Sequence, residues 1–291
     1  MDSFKKNITF VIVTFRSDHI IDKCIKSINP NIKIIVVENS NNVHVKDYLE
    51  NKFLNVEVII ARENLGYGKG NNLGISRVDT QYAFILNPDV ILEKNCLQEL
   101  YKAQLFLKDN FTVLAPNFSN NYGYFLNHNN NSNKEILEVD YVKGFAMLIN
   151  LKKINLKELF DENYFLFLEE IDLCKRIRNN GGKIFVIHNS KIQHLGKQAS
   201  QNTFNIELCR NWHWMWSLFY YNYKHFGIKT AYRIAVSKFF TSIFKFFFSF
   251  IFFNKKKRLI HYYRLNGLYN AFLKRPSWLR PDNINADYKI L

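Results

Sequence analysis

The chain has 291 residues, 47% hydrophobic and 22% charged. That excludes disorder and collagen-like or coiled-coil architectures, and leaves an α/β domain with a helical appendage, or two small domains. Four widely spaced cysteines (Cys24, Cys96, Cys174, Cys209) form no CxxC pair, which argues against a disulfide scaffold or zinc knuckle and fits a reducing compartment. The net charge of +15 is uneven: residues 208–281 carry fourteen Lys or Arg and no acid, while the first two thirds are nearly balanced. The C-terminal segment must therefore meet something anionic.

In chain order, residues 8–15 form an apolar, β-branched run that reads as a buried first strand. It follows Lys5-Lys6 and leads into Arg16, so it lacks a signal-peptide pattern. Helical spacing over 18–28 ends at Asn29-Pro30. Strands are predicted at 32–37, 56–60 and 82–86, with a helix at 43–51. A Gly- and Asn-rich turn, 64–70, opens a helix running through Arg77. Four strands with short crossovers predict a doubly wound, Rossmann-like half. In such sheets ligands bind beyond the carboxyl ends of the strands. Those ends carry Thr14 to Arg16, Glu38-Asn39, Arg62 to Asn64, and Asn87 to Asp89, all polar.

Beyond residue 110 the pattern changes. Residues 127–133 read as a flexible polar tip, and 139–149 as extended structure around Gly144. Glu169-Glu170-Ile171-Asp172 opens a helix that ends before Gly181-Gly182. Short strands are predicted at 183–187 and 191–194, then helix from Thr203 to about Leu273. No 18-residue apolar stretch is free of charge, so no transmembrane helix is predicted; 239–253 comes nearest, interrupted by Lys245.

Each candidate motif has two readings. Asp89 at a strand end could hold a divalent metal, or Asn87-Pro88-Asp89 could be only a turn. The turn from Asn64 to Gly74 could present helix N–H groups to phosphate, or be only tight. It lacks the order of a dinucleotide fingerprint or a P-loop. Among Glu169, Glu170 and Asp172, one could be a general base, or all three could complement the helix terminus. His194 matters only if it lies near Asp89. Trp212, Trp214 and Trp216, with the aromatics after them, could be core, a sugar platform or an interfacial belt.

Taken together these stretches resemble the family 2 glycosyltransferases of the GT-A fold, in particular bacterial rhamnosyltransferase-like members. The matching pieces are residues 12–16, 36–40, 64–74, 86–89, 141–149, 160–165, 169–174, His194-Leu195-Gly196 and the tail Arg275-Pro276-Ser277-Trp278. The resemblance implies a mostly parallel Rossmann-like sheet in residues 1–205 and a helical, basic, membrane-associating region in 206–291. It implies that Thr14, Phe15, Arg16 and Glu38 line the nucleotide pocket, and that Asn64, Gly66 and Asn71 close on the donor. Asp89, as the last acid of the family's DXD motif, and His194 would hold Mg²⁺ or Mn²⁺ at the donor diphosphate, with Asn87 in the motif's first position. Glu170 would be the base, with Glu169 and Asp172 as alternatives.

The implied activity is inverting transfer of a sugar, L-rhamnose from dTDP-rhamnose or a hexose from a UDP donor. The acceptor would be a hydroxyl of a glycan or polyprenyl-diphosphate-linked carrier in surface polysaccharide synthesis. The implied location is the cytoplasmic face of the cell membrane, bound peripherally to an anionic surface, with a homo-oligomer also open. Rival classes are a nicotinamide-dependent oxidoreductase, which the misplaced glycines oppose, and a non-catalytic basic membrane- or nucleic-acid-binding protein. The apolar 239–253 run is too greasy for a nucleic-acid groove.

Overall fold

The structure is a computed structural model and describes residues 1–118, 135–155, 159–196 and 198–284. The asparagine-rich stretch 127–133 lies outside the described residues. Packing divides the chain into two compact units. The first comprises Met1–Asp161 and Glu170–Gln201, the second Glu162–Glu169 and Asn202–Leu291.

The first unit is built on one nine-stranded sheet. After a short helix α1 (Asp2–Lys6), the N-terminal half alternates β1 (Ile8–Thr14), α2 (Ile21–Lys26), β2 (Lys33–Glu38), α3 (Val43–Lys52), β3 (Val56–Ile60), α4 (Gly66–Ile75) and β4 (Tyr82–Leu86). Its strands pair in parallel in the order β3-β2-β1-β4. The apolar runs of β1, β2 and β4 are buried on both faces, as a parallel sheet between helices requires, while β3 at the edge is half-buried. Alternation along β1 sends Phe10 and Ile12 to one face and Val11 to the other. Phe10 stacks on Phe84 with ring centroids 4.8 Å apart. Helix α4 lies close on the sheet: a Cβ at Gly74 would stand 2.4 Å from Val11 Cγ1, so only glycine fits there.

The remainder of the unit adds β5 (Val90–Leu92), α5 (Cys96–Leu107), β6 (Val113–Phe118), β7 (Ile136–Glu138), β8 (Ala146–Asn150), α6 (Glu169–Asn179) and β9 (Ile184–His194). Here the sheet turns mixed. β8 is antiparallel to both β4 and β6, and β9 runs parallel to β6 but antiparallel to β5 and β7. The parallel character is thus confined largely to the N-terminal half. The two short strands expected at 183–187 and 191–194 form one strand. A register shift opposite Pro116/Asn117 absorbs the polar residues between them.

The second unit is built on two helices. Helix α7 spans Phe204–Ile251, N-capped by Thr203, whose hydroxyl accepts from Ile206 N at 3.4 Å. Gly227 interrupts it with φ 80° and ψ 170°, a left-handed conformation that glycine adopts without a Cβ penalty. Helix α8 (Lys255–Phe272) then packs back along α7. Trp212, Met215, Trp216, Phe219, Leu268 and Ala271 form the core between them. Beyond Gly227, α7 buries small residues, Ala231, Ala235, Ser242 and Ser249, and leaves Phe240, Phe244, Phe247, Phe248 and Phe250 exposed. Although no 18-residue apolar stretch is free of charge, so that no transmembrane helix is expected from the sequence, α7 is long and apolar enough, by length and composition, to cross a membrane.

Candidate active site

The carboxyl ends of β1 and β2 lie side by side, Thr14 opposite Glu38. Asn39 N donates to Thr14 O at 2.9 Å, and the Thr14 hydroxyl donates to Val37 O at 3.4 Å. Glu38 is buried, and its Oε2 accepts from Ser40 N at 2.8 Å and Asn42 N at 2.9 Å. It therefore shapes the loop after β2 from beneath. Arg16, at φ 53°, donates its backbone N–H to Ser40 Oγ at 2.7 Å and holds its guanidinium 5.0 Å from the Phe15 ring. Around these groups is a polar cleft of about 560 Å³, lined by Arg16, Asp18, Ser40, Asn42, His44 and Gln201 among others.

The Gly-rich turn becomes the first turns of α4. Asn64 Oδ1 accepts from Gly66 N at 3.1 Å. Asn71 is fully buried, and its Nδ2 donates to Tyr67 O at 3.0 Å. Asn39 Nδ2 donates to Gly66 O at 3.0 Å, joining this turn to the end of β2.

Asp89 follows β4 directly before β5. Pairing of β5 with β9 puts Val90 opposite His194, and Leu195 N donates to Asp89 O at 3.0 Å. Asp89 is 1% exposed. Its Oδ2 accepts from Gln198 N at 3.3 Å, whereas Oδ1 makes no hydrogen bond among the described residues and faces His194 Nε2 at 3.4 Å. An orphaned, buried carboxylate oxygen beside an imidazole is a costly arrangement that a cation would relieve. The donor set therefore fits a hard divalent ion with two protein ligands and open positions. Among the described residues no third His, Cys, Asp or Glu joins them. Asn87 takes part through its backbone: its N–H donates to Phe145 O at 2.9 Å.

The carboxylates at the start of α6 separate by environment. Asp172 is fully buried and paired with Arg176, Nε to Oδ2 at 2.8 Å, one helical turn on. Arg176 also donates to Leu159 O. Glu169 is buried and closes the Glu162–Glu169 segment of the second unit. Glu170 sits deep among protein atoms yet keeps part of its surface open. Burial pushes its carboxyl above the ordinary value of 4.5, and the nearby Lys143 ammonium partly opposes this. Glu170 in turn contributes to raising the Tyr141 hydroxyl, after burial.

The sequence marks 139–149 as extended structure and 141–149 as part of the family resemblance but assigns it no site role, yet three of its residues connect the site. Lys143 faces Glu170 electrostatically. Gly144 O accepts from the Tyr67 hydroxyl of the Gly-rich turn. The Phe145 ring stacks on His194 with centroids 4.5 Å apart, while its carbonyl holds Asn87. The 141–149 motif was the available signal; the partners of Lys143, Gly144 and Phe145 lie far away in sequence.

The sequence profile of Glycosyl transferase family 2 matches residues 9–163. The chain is 23% identical over 225 residues to a low-salt glycan biosynthesis hexosyltransferase of Haloferax volcanii, covering 68% of this chain and 72% of that protein. It is 22% identical over 210 residues to the rhamnosyltransferase WbbL of Escherichia coli, covering 61% and 79%. Its fold is similar to that of the mannosyltransferase PcManGT from Pyrobaculum calidifontis, solved in complex with GDP-Man and Mn2+. The TM-score is 0.56 at 10% identity, covering 93% of this chain and 88% of that one. With more than half its length matched by that profile, on a GT-A-like α/β sheet, the chain belongs to glycosyl transferase family 2.

Proposed function

We propose that this glycosyltransferase inverts configuration, with Glu170 as the base that deprotonates the acceptor hydroxyl. The observation that carries the reading is the 143–145 segment, which ties Glu170, the Gly-rich turn and the Asp89–His194 pair together. Burial keeps the Glu170 carboxyl basic, and its open surface admits an acceptor. Asp172, sequestered by Arg176, is the poorer candidate. Thr14, Phe15, Arg16 and Glu38 form or support the nucleotide side of the cleft, and Asn64, Gly66 and Asn71 the turn facing the donor. Asp89 and His194 would hold Mg²⁺ or Mn²⁺, which when bound screens the charge of the departing diphosphate. The chain's own contribution is positioning and proton removal.

The rhamnosyltransferase relative favours dTDP-rhamnose as donor. The hexosyltransferase relative keeps a UDP-hexose as the second reading. The acceptor we infer is a glycan or polyprenyl-diphosphate-linked hydroxyl at the cytoplasmic face of the membrane. The first unit is the catalytic domain and the second the membrane-associating region. Exposed Phe side chains beside Lys255, Lys256 and Lys257 suit the interface of an anionic bilayer. A second copy of this chain is the rival occupant of that apolar face.

A panel of sugar nucleotides with Mn²⁺, read as melting temperature and then as transfer to a lipid-linked acceptor, tests the reading. Stabilisation and turnover with one sugar nucleotide support it. Hydrolysis or transfer with none of them overturns it.

A further inference from the structure

Residues 208–281, all in the second unit, hold fourteen Lys or Arg and no acid. Three basic side chains of α8, Arg258, His261 and Arg264, follow one another at three-residue spacing, so successive members share a flank of the helix. Each is half-buried. Each keeps a buried nitrogen with no hydrogen-bond partner among the described residues: Arg258 Nε, His261 Nδ1 and Arg264 Nε.

Both arginines are held from α7. The Arg258 guanidinium lies 4.1 Å from the centre of the Phe250 ring. Arg264 reaches Asn211 Oδ1 from Nη1 at 3.5 Å and Met215 Sδ from Nη2 at 3.7 Å. These contacts steady the guanidinium planes and leave both Nε–H groups unanswered. The charged form of His261 is disfavoured first by burial, then by Arg264, Lys245 and Lys257. Lys245 comes from α7 and Lys257 from α8, so both helices bring positive charge to one place.

A buried donor without an acceptor costs free energy, and clustered like charges add to that cost. An anion relieves both at once. Guanidinium forks match the oxygens of a phosphate, and several cations around one point favour a dianion over a single carboxylate. The rim indicates what else the anion carries. Phe247, Phe248, Phe252 and Phe253 stand exposed at and just beyond the end of α7, next to the start of α8. Such a rim suits the hydrocarbon chain of an amphiphile.

We propose that Arg258, His261 and Arg264 form a binding site for the phosphate headgroup of a membrane lipid, a terminal phosphomonoester or diphosphate. The choice of a lipid as source rests on the reading of the second unit as membrane-associating; the anion site itself does not. The site lies wholly within the second unit. It differs from the general attraction of Lys255, Lys256 and Lys257 to a charged surface, because it selects the chemistry of the headgroup and not charge alone.

The test uses the full chain and phosphatidylcholine vesicles. These are brought to equal surface charge with phosphatidic acid, a phosphomonoester, or phosphatidylglycerol, a phosphodiester. The wild type should bind the phosphomonoester vesicles roughly 10-fold more tightly, the scale of one hydrogen bond to a charged group. Arg258→Gln and Arg264→Gln should each abolish that preference. Lys229→Gln, which removes an exposed charge elsewhere on α7, should weaken both vesicle types equally and keep the ratio. Arg258→Lys keeps the charge without the fork and should lose most of the preference. If Arg264→Gln does not fold, the two Arg258 variants decide. In a second arm, inorganic pyrophosphate alone is titrated and followed at the His261 ring by NMR, assigned with His261→Gln. A preference lost in the arginine variants supports the proposal, with or without a pyrophosphate shift. A preference that survives in them overturns the assignment to these residues. Equal binding of the two vesicle types with a pyrophosphate shift at His261 overturns the lipid source and leaves a soluble-anion site. Equal binding with no shift overturns the site. Failure to bind either vesicle overturns the membrane-associating reading and the lipid source with it, and the His261 shift then decides whether an anion site remains.

Discussion

Asp89 Oδ1 and His194 Nε2 lie 3.4 Å apart, brought together by the antiparallel pairing of β5 with β9. The carboxylate oxygen has no hydrogen bond among the described residues, which suits the divalent ion proposed for this pair. Asp89→Asn keeps the shape and removes the charge. We expect roughly 10²-fold or greater loss of kcat/KM, the usual scale for one removed electrostatic contact. Mn²⁺-dependent donor stabilisation should fall with it. Undiminished Mn²⁺ response in Asp89→Asn, followed by thermal shift with and without donor, would move the metal role elsewhere.

Glu170→Gln removes the proton acceptor while preserving volume. Transfer should drop by about 10²–10⁴-fold, with donor binding intact. Asp172→Asn should act differently: it breaks the buried pair with Arg176 and should lower melting temperature as well as activity. Comparing the two variants by steady-state kinetics and thermal denaturation separates base from scaffold.

The pH dependence has a definite sign. As the proposed base, Glu170 would act deprotonated, and burial holds its carboxyl above 4.5. Activity should therefore fall with acidification through a value above that of an ordinary carboxylate. Lys143→Met removes the charge that opposes the shift, so the acid limb should move further up. A kcat–pH profile whose acid limb is unchanged by Lys143→Met would contradict the proximity of the two groups.

The exposed face of α7 beyond Gly227 should bind vesicles containing anionic lipid at low salt and release them at high salt. Replacing Lys255, Lys256 and Lys257 with Glu should weaken flotation, each lost cation contributing about 1 kcal/mol. Phe244→Ser with Phe248→Ser should weaken it independently of salt. Soluble behaviour of the wild type with such vesicles, accompanied by dimers in sedimentation, would assign the face to a second copy.

Gly74→Ala places a methyl group 2.4 Å from Val11 Cγ1, in the buried seam between α4 and β1. Overpacking of this kind costs about 1–3 kcal/mol. Chemical denaturation should show a lower midpoint with an unchanged slope.

What the sequence determined was local. The expected strands at 56–60 and 82–86 coincide with β3 and β4, and β4, buried on both faces, is legible as an unbroken apolar stretch. The end of the α6 helix was marked by Gly181-Gly182, and the Asp172–Arg176 pair was available from its i,i+4 spacing. The family followed from short motifs in order. Tertiary structure decided the rest. Asp89 meets His194 only through a strand pairing that spans half the first unit, and Lys143, Gly144 and Phe145 gain meaning only from partners distant in the chain. The 162–169 segment belongs by packing with the helices that follow residue 202, and its left-handed Phe167 and Leu168 break every local preference. No pattern in sequence encodes such a turn, because its cost is met by non-local contacts from Ser217, Ser277 and Arg280.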